Sequence, residues 1–287
     1  MIGICTDSNS QLPDLLAERY AIEVVPITVT VDDHDYLEGV DLDADRFYDM
    51  LSAEPPPTIS TSQPSPGQFA AAYESLLHRG CDEILSIHVT ASTSGTLNSA
   101  RLATRSLPVP VRLVDSGTAS FGVSCCVWAA AEAVANGATL DEAVQVAETL
   151  APRIGTVFVV GALDFIRSGG RGPELDANAR EVANERADEG AGIPVLTMHA
   201  GEFKVVSHVR TRVDAVNAMA SMAIGWGSRS RVAVGLADRS AEPLTQALEA
   251  AVRESPNVVE VVRYRIGPSV GVYTGPGTVG CFMFPAD

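Results

Sequence analysis

The chain has 287 residues, 46% of them hydrophobic, and a formal net charge of −16 at pH 7. That length suits two domains or one large one with a substantial core. An acidic chain without a Lys/Arg cluster excludes a nucleic-acid footprint, and a sequence with no charged-then-apolar leader and no apolar run of about 20 residues is expected to be cytoplasmic, without stable membrane insertion.

The five cysteines, Cys5, Cys81, Cys125, Cys126 and Cys281, are odd in number, lack metal-ligand spacing and lie mostly in apolar sequence. They read as buried free thiols. His34, His78, His88, His199 and His208 are scattered singly, so no zinc site is expected.

Ile2–Thr6 reads as a strand running into Asp7-Ser8-Asn9-Ser10, and Leu12–Tyr20 as a short helix. Ile22–Val31 clusters β-branched residues as one strand, and Asp32–Asp35 is turn chemistry before Tyr36. A helix over about Asp43–Ala53 places Phe47, Met50 and Leu51 on one face, until Pro55-Pro56-Pro57 stops it. Thr58–Pro64 reads as a hydroxyl-rich loop. The helix after it is strongly signalled: Ser65 and Gln68 form a capping box, Pro66 takes the first helical position, Gly80 ends it, and Phe69, Tyr73, Leu76 and Leu77 share one face.

Glu83–Ala100 carries the densest information. Ile84–Val89 is a buried strand, Thr90–Thr96 holds five hydroxyls in seven positions, and Leu97–Leu107 suits a helix packed on a sheet. A loop leaving a parallel strand for a helix lies at the carboxyl edge of the sheet, where open α/β folds bind ligands, and the helix start favours an anion. The plainer reading is that Ser94 caps the helix while the other hydroxyls face water. The loops around Thr61 and Ser94 flank the same helix and strand, which favours the first.

Val111–Val114 is the next strand, followed by the loop Asp115–Ser120 and a helix Phe121–Ala135 that is apolar on nearly every side. Asn136-Gly137 ends it, and a capping box of Thr139 with Glu142 opens another helix through Leu150. Strands alternating with helices predict a mostly parallel sheet. The domain boundary is expected near Pro152, giving domains 1–152 and 153–287.

After the strand Thr156–Val160 comes Gly169-Gly170-Arg171-Gly172. Glycines beside an arginine let backbone and guanidinium approach an anion together; a surface turn with a solvated arginine is the plain alternative. Glu174–Glu189 has six acids and only Leu175 and Val182 as large apolar residues, the pattern of an exposed or mobile helix. Ile193–Met198 and Phe203–Val209 form a hairpin pattern around Ala200-Gly201. A helix over Thr211–Trp226, strand Arg231–Leu236, helix Pro243–Arg253 and strand Val258–Ile266 follow. A glycine- and proline-rich run, Gly267–Gly277, precedes the last strand through Phe284. This half predicts an α+β sandwich with a mixed sheet.

Thr6-Asp7-Ser8, Thr61-Ser62-Gln63-Pro64, Ser94-Gly95-Thr96, Val114-Asp115-Ser116, Gly169-Gly170-Arg171, Val209-Arg210-Thr211 and Thr274-Gly275-Pro276-Gly277, in this order and spacing, resemble the DegV family of bacterial fatty-acid-binding proteins over nearly the whole chain. The resemblance implies a two-domain fold, with an N-terminal mostly parallel α/β sheet and a C-terminal mixed sheet. It implies a non-enzymatic carrier of a long-chain fatty acid, buried in the first domain, whose carboxylate is phosphorylated by a separate ATP-dependent fatty-acid kinase. No cofactor or metal is implied, and membrane contact would be transient, for lipid exchange.

By the same resemblance the carboxylate contacts fall on Thr61, Ser94 and Arg171, and the ligand-binding set extends to Ser62, Gly95, Thr96, Tyr273 and Thr274. A buried carboxylate must be paired or fully hydrogen-bonded, and two hydroxyls, a helix start and a guanidinium can do this without a metal. The apolar helix near Phe121–Trp128 would wall the acyl chain. Three positions depart from the family's pattern: Tyr273 stands where many members have a histidine, Thr93 where a leucine is expected, and Ile193-Pro194 where a Lys-Pro pair follows a more apolar segment. Two other classes are weighed, with carriage of another amphipathic carboxylic acid as a third possibility. A serine hydrolase would need a histidine base beside Ser94, and Ser92-Thr93-Ser94-Gly95 lacks the first glycine of a nucleophile elbow. A nucleotide-binding kinase would need a glycine-rich loop with lysine, or a carboxylate cluster for Mg²⁺ built from Asp7 and Asp115.

Overall fold

Apolar residues on both faces of Ile2–Asp7 (β1) and Glu83–His88 (β6) make these two the buried centre of a parallel sheet. Glu23–Val25 (β2) and Val111–Asp115 (β7) flank them in the order β2-β1-β6-β7, every pairing parallel. This computed structural model describes residues 1–161, 192–199 and 202–286. The chain divides into two units, residues 1–42 with 58–152 and residues 43–57 with 153–287.

In the N-terminal unit, Asp14–Arg19 (α1) is short, and Pro66–His78 (α3) and Thr96–Ala103 (α4) pack together against the sheet. Phe121–Ala135 (α5) and Leu140–Leu150 (α6) form a second pair that also packs on its strands. Both expected capping boxes form: Ser65 with Gln68, and Thr139 with Glu142. Phe69, Tyr73, Leu76, Cys5, Ile84 and Ala100 make one core cluster beneath α3 and α4. The helix α5 is buried through Val127 and Trp128.

Two expectations are corrected here. Ile22–Val31 is not one strand: β2 ends at Val25, Pro26 offers no N–H to a ladder, and Thr28–Val31 (β3) belongs to a separate antiparallel sheet. That sheet has the order β4-β3-β5, with His34–Leu37 as β4 and Ile59–Ser62 as β5. The hydroxyl-rich stretch after the prolines is therefore partly strand, with Thr61 opposite Val29.

In the C-terminal unit a six-stranded mixed sheet runs β10-β9-β8-β13-β11-β12. Its strands are Gly155–Val159 (β8), Ile193–His199 (β9), Glu202–Val209 (β10), Ser230–Leu236 (β11), Val258–Arg265 (β12) and Val279–Pro285 (β13). Among the described residues of this sheet, only β11 and β12 pair in parallel. Arg212–Ile224 (α7) and Glu242–Arg253 (α8) cover it, with Met219, Leu248, Val252, Val232 and Met283 in a shared core. Ala44–Leu51 (α2) groups with this unit through Phe47 and Tyr48, its buried residues; the Tyr48 hydroxyl donates to the Ile266 carbonyl at 3.0 Å, and Arg265 donates to Asp45 at 2.6 Å. Part of the glycine- and proline-rich run, Pro268–Thr274, is a short helix (α9). Gly169–Gly172, Glu174–Glu189 and the turn Ala200-Gly201 lie outside the described residues.

Candidate functional site

The loop from Val89 to Gly95 leaves β6 at the carboxyl edge of the parallel sheet and enters α4, where its composition placed it. The N-cap of α4 is Gly95 and carries no side-chain cap, so Ser94 is not the helix cap; it stands one residue earlier, and its Oγ accepts from the Thr96 N–H at 3.2 Å. It also lies 2.8 Å from Thr96 Oγ1. The pair carries two hydroxyl protons and spends one between them, which leaves one donor for an anion. Ser94 and Gly95 are half-buried, and Thr96 is fully buried.

The second hydroxyl segment reaches this loop through Gln63. Its Nε2 donates to Ser99 Oγ on α4 at 3.3 Å, and its amide lies against Gly95, where an added Cβ would fall 2.1 Å from Gln63 Oε1. Gly95 has an ordinary φ of −78°, so its need is space and not backbone freedom. Thr61, half-buried, and Ser62, exposed, precede Gln63 on β5. The structure thus brings Thr61-Ser62-Gln63 and Ser94-Gly95-Thr96 to one edge of the unit.

The other motifs hold this loop from behind. Asp7 Oδ2 accepts from the Val89 N–H at 3.1 Å, Asp115 Oδ2 from the Ala91 N–H at 3.1 Å, and the Thr118 carbonyl from the Thr90 N–H at 2.9 Å. Thr6 donates to the Ile87 carbonyl at 2.8 Å, while Ser8 binds Glu38 and accepts from the Ile27 N–H at 2.9 Å. The Asp7 and Asp115 carboxylates are both engaged by backbone amides. Among the described residues no group of three His, Cys, Asp or Glu could hold a metal ion.

His88, a lone histidine by its sequence, belongs to a buried polar array. Its Nδ1 lies 2.9 Å from Asp7 Oδ2, its Nε2 2.6 Å from Ser86 Oγ, and Ser86 Oγ 3.0 Å from the Tyr73 hydroxyl. A Ser–His–Asp order is present, but Ser94 is not part of it. Asp7, Ser86 and His88 are each 0% exposed, and a sealed serine cannot reach a substrate carbonyl.

On the apolar side of the unit, α5 presents Phe121, Val123, Cys125, Cys126, Val127 and Trp128 as buried residues. Burial pushes the Cys126 thiol up to about 12 and Cys125 well above its ordinary range. These side chains behave as hydrophobes.

In the C-terminal unit, Tyr273 and Thr274 are half-buried on α9. Gly275 and Gly277 after them have φ of +73° and +76°, a backbone region that suits glycine. Thr278 Oγ1 donates back to the Thr274 carbonyl at 2.8 Å, and the Gly277 N–H donates to Asp238 at 2.6 Å. Gly267-Pro268-Ser269-Val270-Gly271 matches the spacing of a nucleophile elbow. Ser269 is 1% exposed and lies within a helix, absent from the positive-φ residues, so the strained exposed turn of that motif is not formed. Arg171 lies outside the described residues.

These features define an α/β protein with a hydroxyl-rich loop braced by buried carboxylates at the edge of a parallel sheet. A family model described as uncharacterised protein, DegV family, matches residues 1–286. A DegV domain-containing protein of Streptomyces coelicolor is 32% identical over 283 residues, covering 97% of this chain and 96% of its own. One from Deinococcus radiodurans is 33% identical over 288 residues, covering 99% and 98%. The chain belongs to the DegV family. Among solved structures, a fatty-acid-binding DegV family protein from Thermus thermophilus superposes with a TM-score of 0.85 at 28% identity, covering 99% of both chains. DegV of Bacillus subtilis, a fatty acid binding protein, gives 0.83 at 25% identity, covering 99% and 98%.

Proposed function

We propose that this protein binds a long-chain fatty acid in its N-terminal unit and presents the carboxylate to a separate ATP-dependent fatty-acid kinase. The head group rests on Thr61, Ser62, Ser94, Gly95 and Thr96, and the acyl chain runs against the apolar side of α5. The observation that carries this reading is the approach of the two hydroxyl segments through Gln63 and Gly95, beside the start of α4. The fatty-acid-binding relatives from Thermus thermophilus and Bacillus subtilis support the ligand class. A carboxylate withdrawn from water also needs a cation, and the family resemblance assigns that role to Arg171.

Denaturing mass spectrometry of the purified protein tests the ligand: a stoichiometric long-chain fatty acid is expected. Protein that carries no lipid, and after delipidation takes up no fluorescent fatty acid, defeats the reading. Hydroxylamine trapping of acyl phosphate, with ATP and a fatty-acid kinase added, tests the presentation step separately.

A further inference from the structure

The Asp7 carboxylate makes three polar contacts, none of them with a residue of the candidate head-group set. Oδ1 accepts from the Asn9 N–H at 3.1 Å; Oδ2 faces His88 Nδ1 at 2.9 Å and accepts from the Val89 N–H at 3.1 Å. Val89 is the first residue after β6 and opens the loop that leads to Ser94. Asn9 in turn accepts at Oδ1 from the Ser120 N–H at 3.0 Å, where α5 begins. One buried carboxylate therefore ties together the ends of β1 and β6 and, through Asn9, the start of the helix expected to wall the acyl chain.

An ionised Asp7 accepts only, so His88 donates from Nδ1. Ser86 Oγ and the Tyr73 hydroxyl continue the array from Nε2, and each contact along it can pair a donor with an acceptor, as a buried network requires. The Phe69 ring stands edge-on to the imidazole at 5.0 Å and closes its apolar side.

We propose that Asp7 and His88 are positioning residues that set the head-group loop through the Val89 amide, the imidazole holding the Asp7 carboxylate in place by donating from Nδ1. The proposal rests on the fatty-acid reading for its functional consequence, but not for its structural content. Asp7→Leu, of similar shape, removes the acceptor from both the Val89 N–H and His88 Nδ1. Asp7→Asn can keep both bonds by turning its one oxygen toward them, and so is the conservative variant. Ser86→Ala is the comparison: it removes the far end of the array and leaves the bonds from Asp7 to His88 and Val89 in place.

Three readouts separate positioning from a merely structural role. Long-range ¹H–¹⁵N spectra of histidine-labelled protein, with His88 assigned by its loss in His88→Leu, are expected to show a proton on Nδ1 in the parent. Amide exchange of Val89 to Thr96 is expected to rise at least tenfold in Asp7→Leu and less than twofold in Ser86→Ala. Delipidated Asp7→Leu is expected to bind a fluorescent long-chain fatty acid at least tenfold more weakly than the parent, with Ser86→Ala within twofold. His88→Asn, whose amide can replace the Nδ1 donor, should restore the loop protection lost in His88→Leu; this pair decides the matter if Asp7→Leu does not fold. Equal effects of Asp7→Leu and Ser86→Ala on loop exchange, or an Nδ1 without a proton in the parent, overturn the proposal. If the parent binds no fatty acid, the functional reading fails while the Nδ1 proton and amide exchange still decide the positioning role.

Discussion

Gln63 lies across Gly95 so closely that a methyl group on Gly95 would stand 2.1 Å from Gln63 Oε1. The contact joins two segments that are distant in sequence, and it is held on the other side by the bond from Gln63 to Ser99.

Gly95→Ala should push the Gln63 amide aside, and Gln63→Ala removes it; both dissolve the same tie. Each is expected to cost about 0.5–1.5 kcal/mol, the worth of one hydrogen bond. The double variant should cost no more than the worse single one, because the two residues share one interaction. Urea unfolding of the four proteins measures the coupling, and simple additivity would separate the two residues.

Gly271 has a comparable role in the C-terminal unit, where an added Cβ would stand 2.5 Å from the Tyr48 hydroxyl and 2.8 Å from Phe47. Gly271→Ala is predicted to destabilise that unit by roughly 1–3 kcal/mol through overpacking. Tyr48→Phe deletes the hydroxyl and its bond to Ile266. In the Gly271→Ala background it should recover part of the loss, since Phe47 still crowds the site. Denaturant midpoints of the single and double variants check both points.

Cys126 and Cys281 are fully buried, and burial pushes each thiol up to about 12. In the unfolded chain a thiol ionises near 8.5, so between these values the folded state binds more protons. The stability they contribute is complete below the unfolded value and is lost as pH rises toward 12. The slope is about 1.4 kcal/mol per pH unit for each such group. Unfolding free energies at pH 7, 9 and 10 should fall less steeply in Cys126→Ala than in the parent; parallel profiles would mean that this thiol is solvated.

What the sequence made legible is what neighbouring residues encode. Ser65 with Gln68 and Thr139 with Glu142 lie three apart and announce their helices, and the apolar face of Phe69, Tyr73 and Leu76 is buried as its spacing requires. The Ile59–Ser62 strand was hidden because Ser and Thr also form loops, and only its pairing with β3 makes it a strand. The partners of the Asp7 array are 81 residues apart in sequence, so His88 looked like a lone histidine in an apolar run. The position of the hydroxyl loop between a parallel strand and a helix was readable from composition; its bracing by Asp7 and Asp115 was not, because backbone amides leave no mark on a sequence.

The proposed head-group contacts rank by what each would leave unpaired. Ser94 has one partner within its own helix start and one proton to share with Thr96. Ser94→Ala removes a neutral donor to a charged acceptor, worth roughly 1.5–3 kcal/mol or about 10- to 150-fold in affinity, and Thr61→Ala should fall in the same range. Arg171→Ala removes the cation that the family resemblance assigns to the carboxylate, which leaves a desolvated charge without a partner at roughly 3–5 kcal/mol. Arg171→Lys keeps the charge but not the forked geometry, and should lie between. Displacement of a fluorescent fatty acid from delipidated variants, at low and at high salt, measures the order. Small, equal and salt-sensitive losses in all of them would place the carboxylate in water, at the surface of the loop.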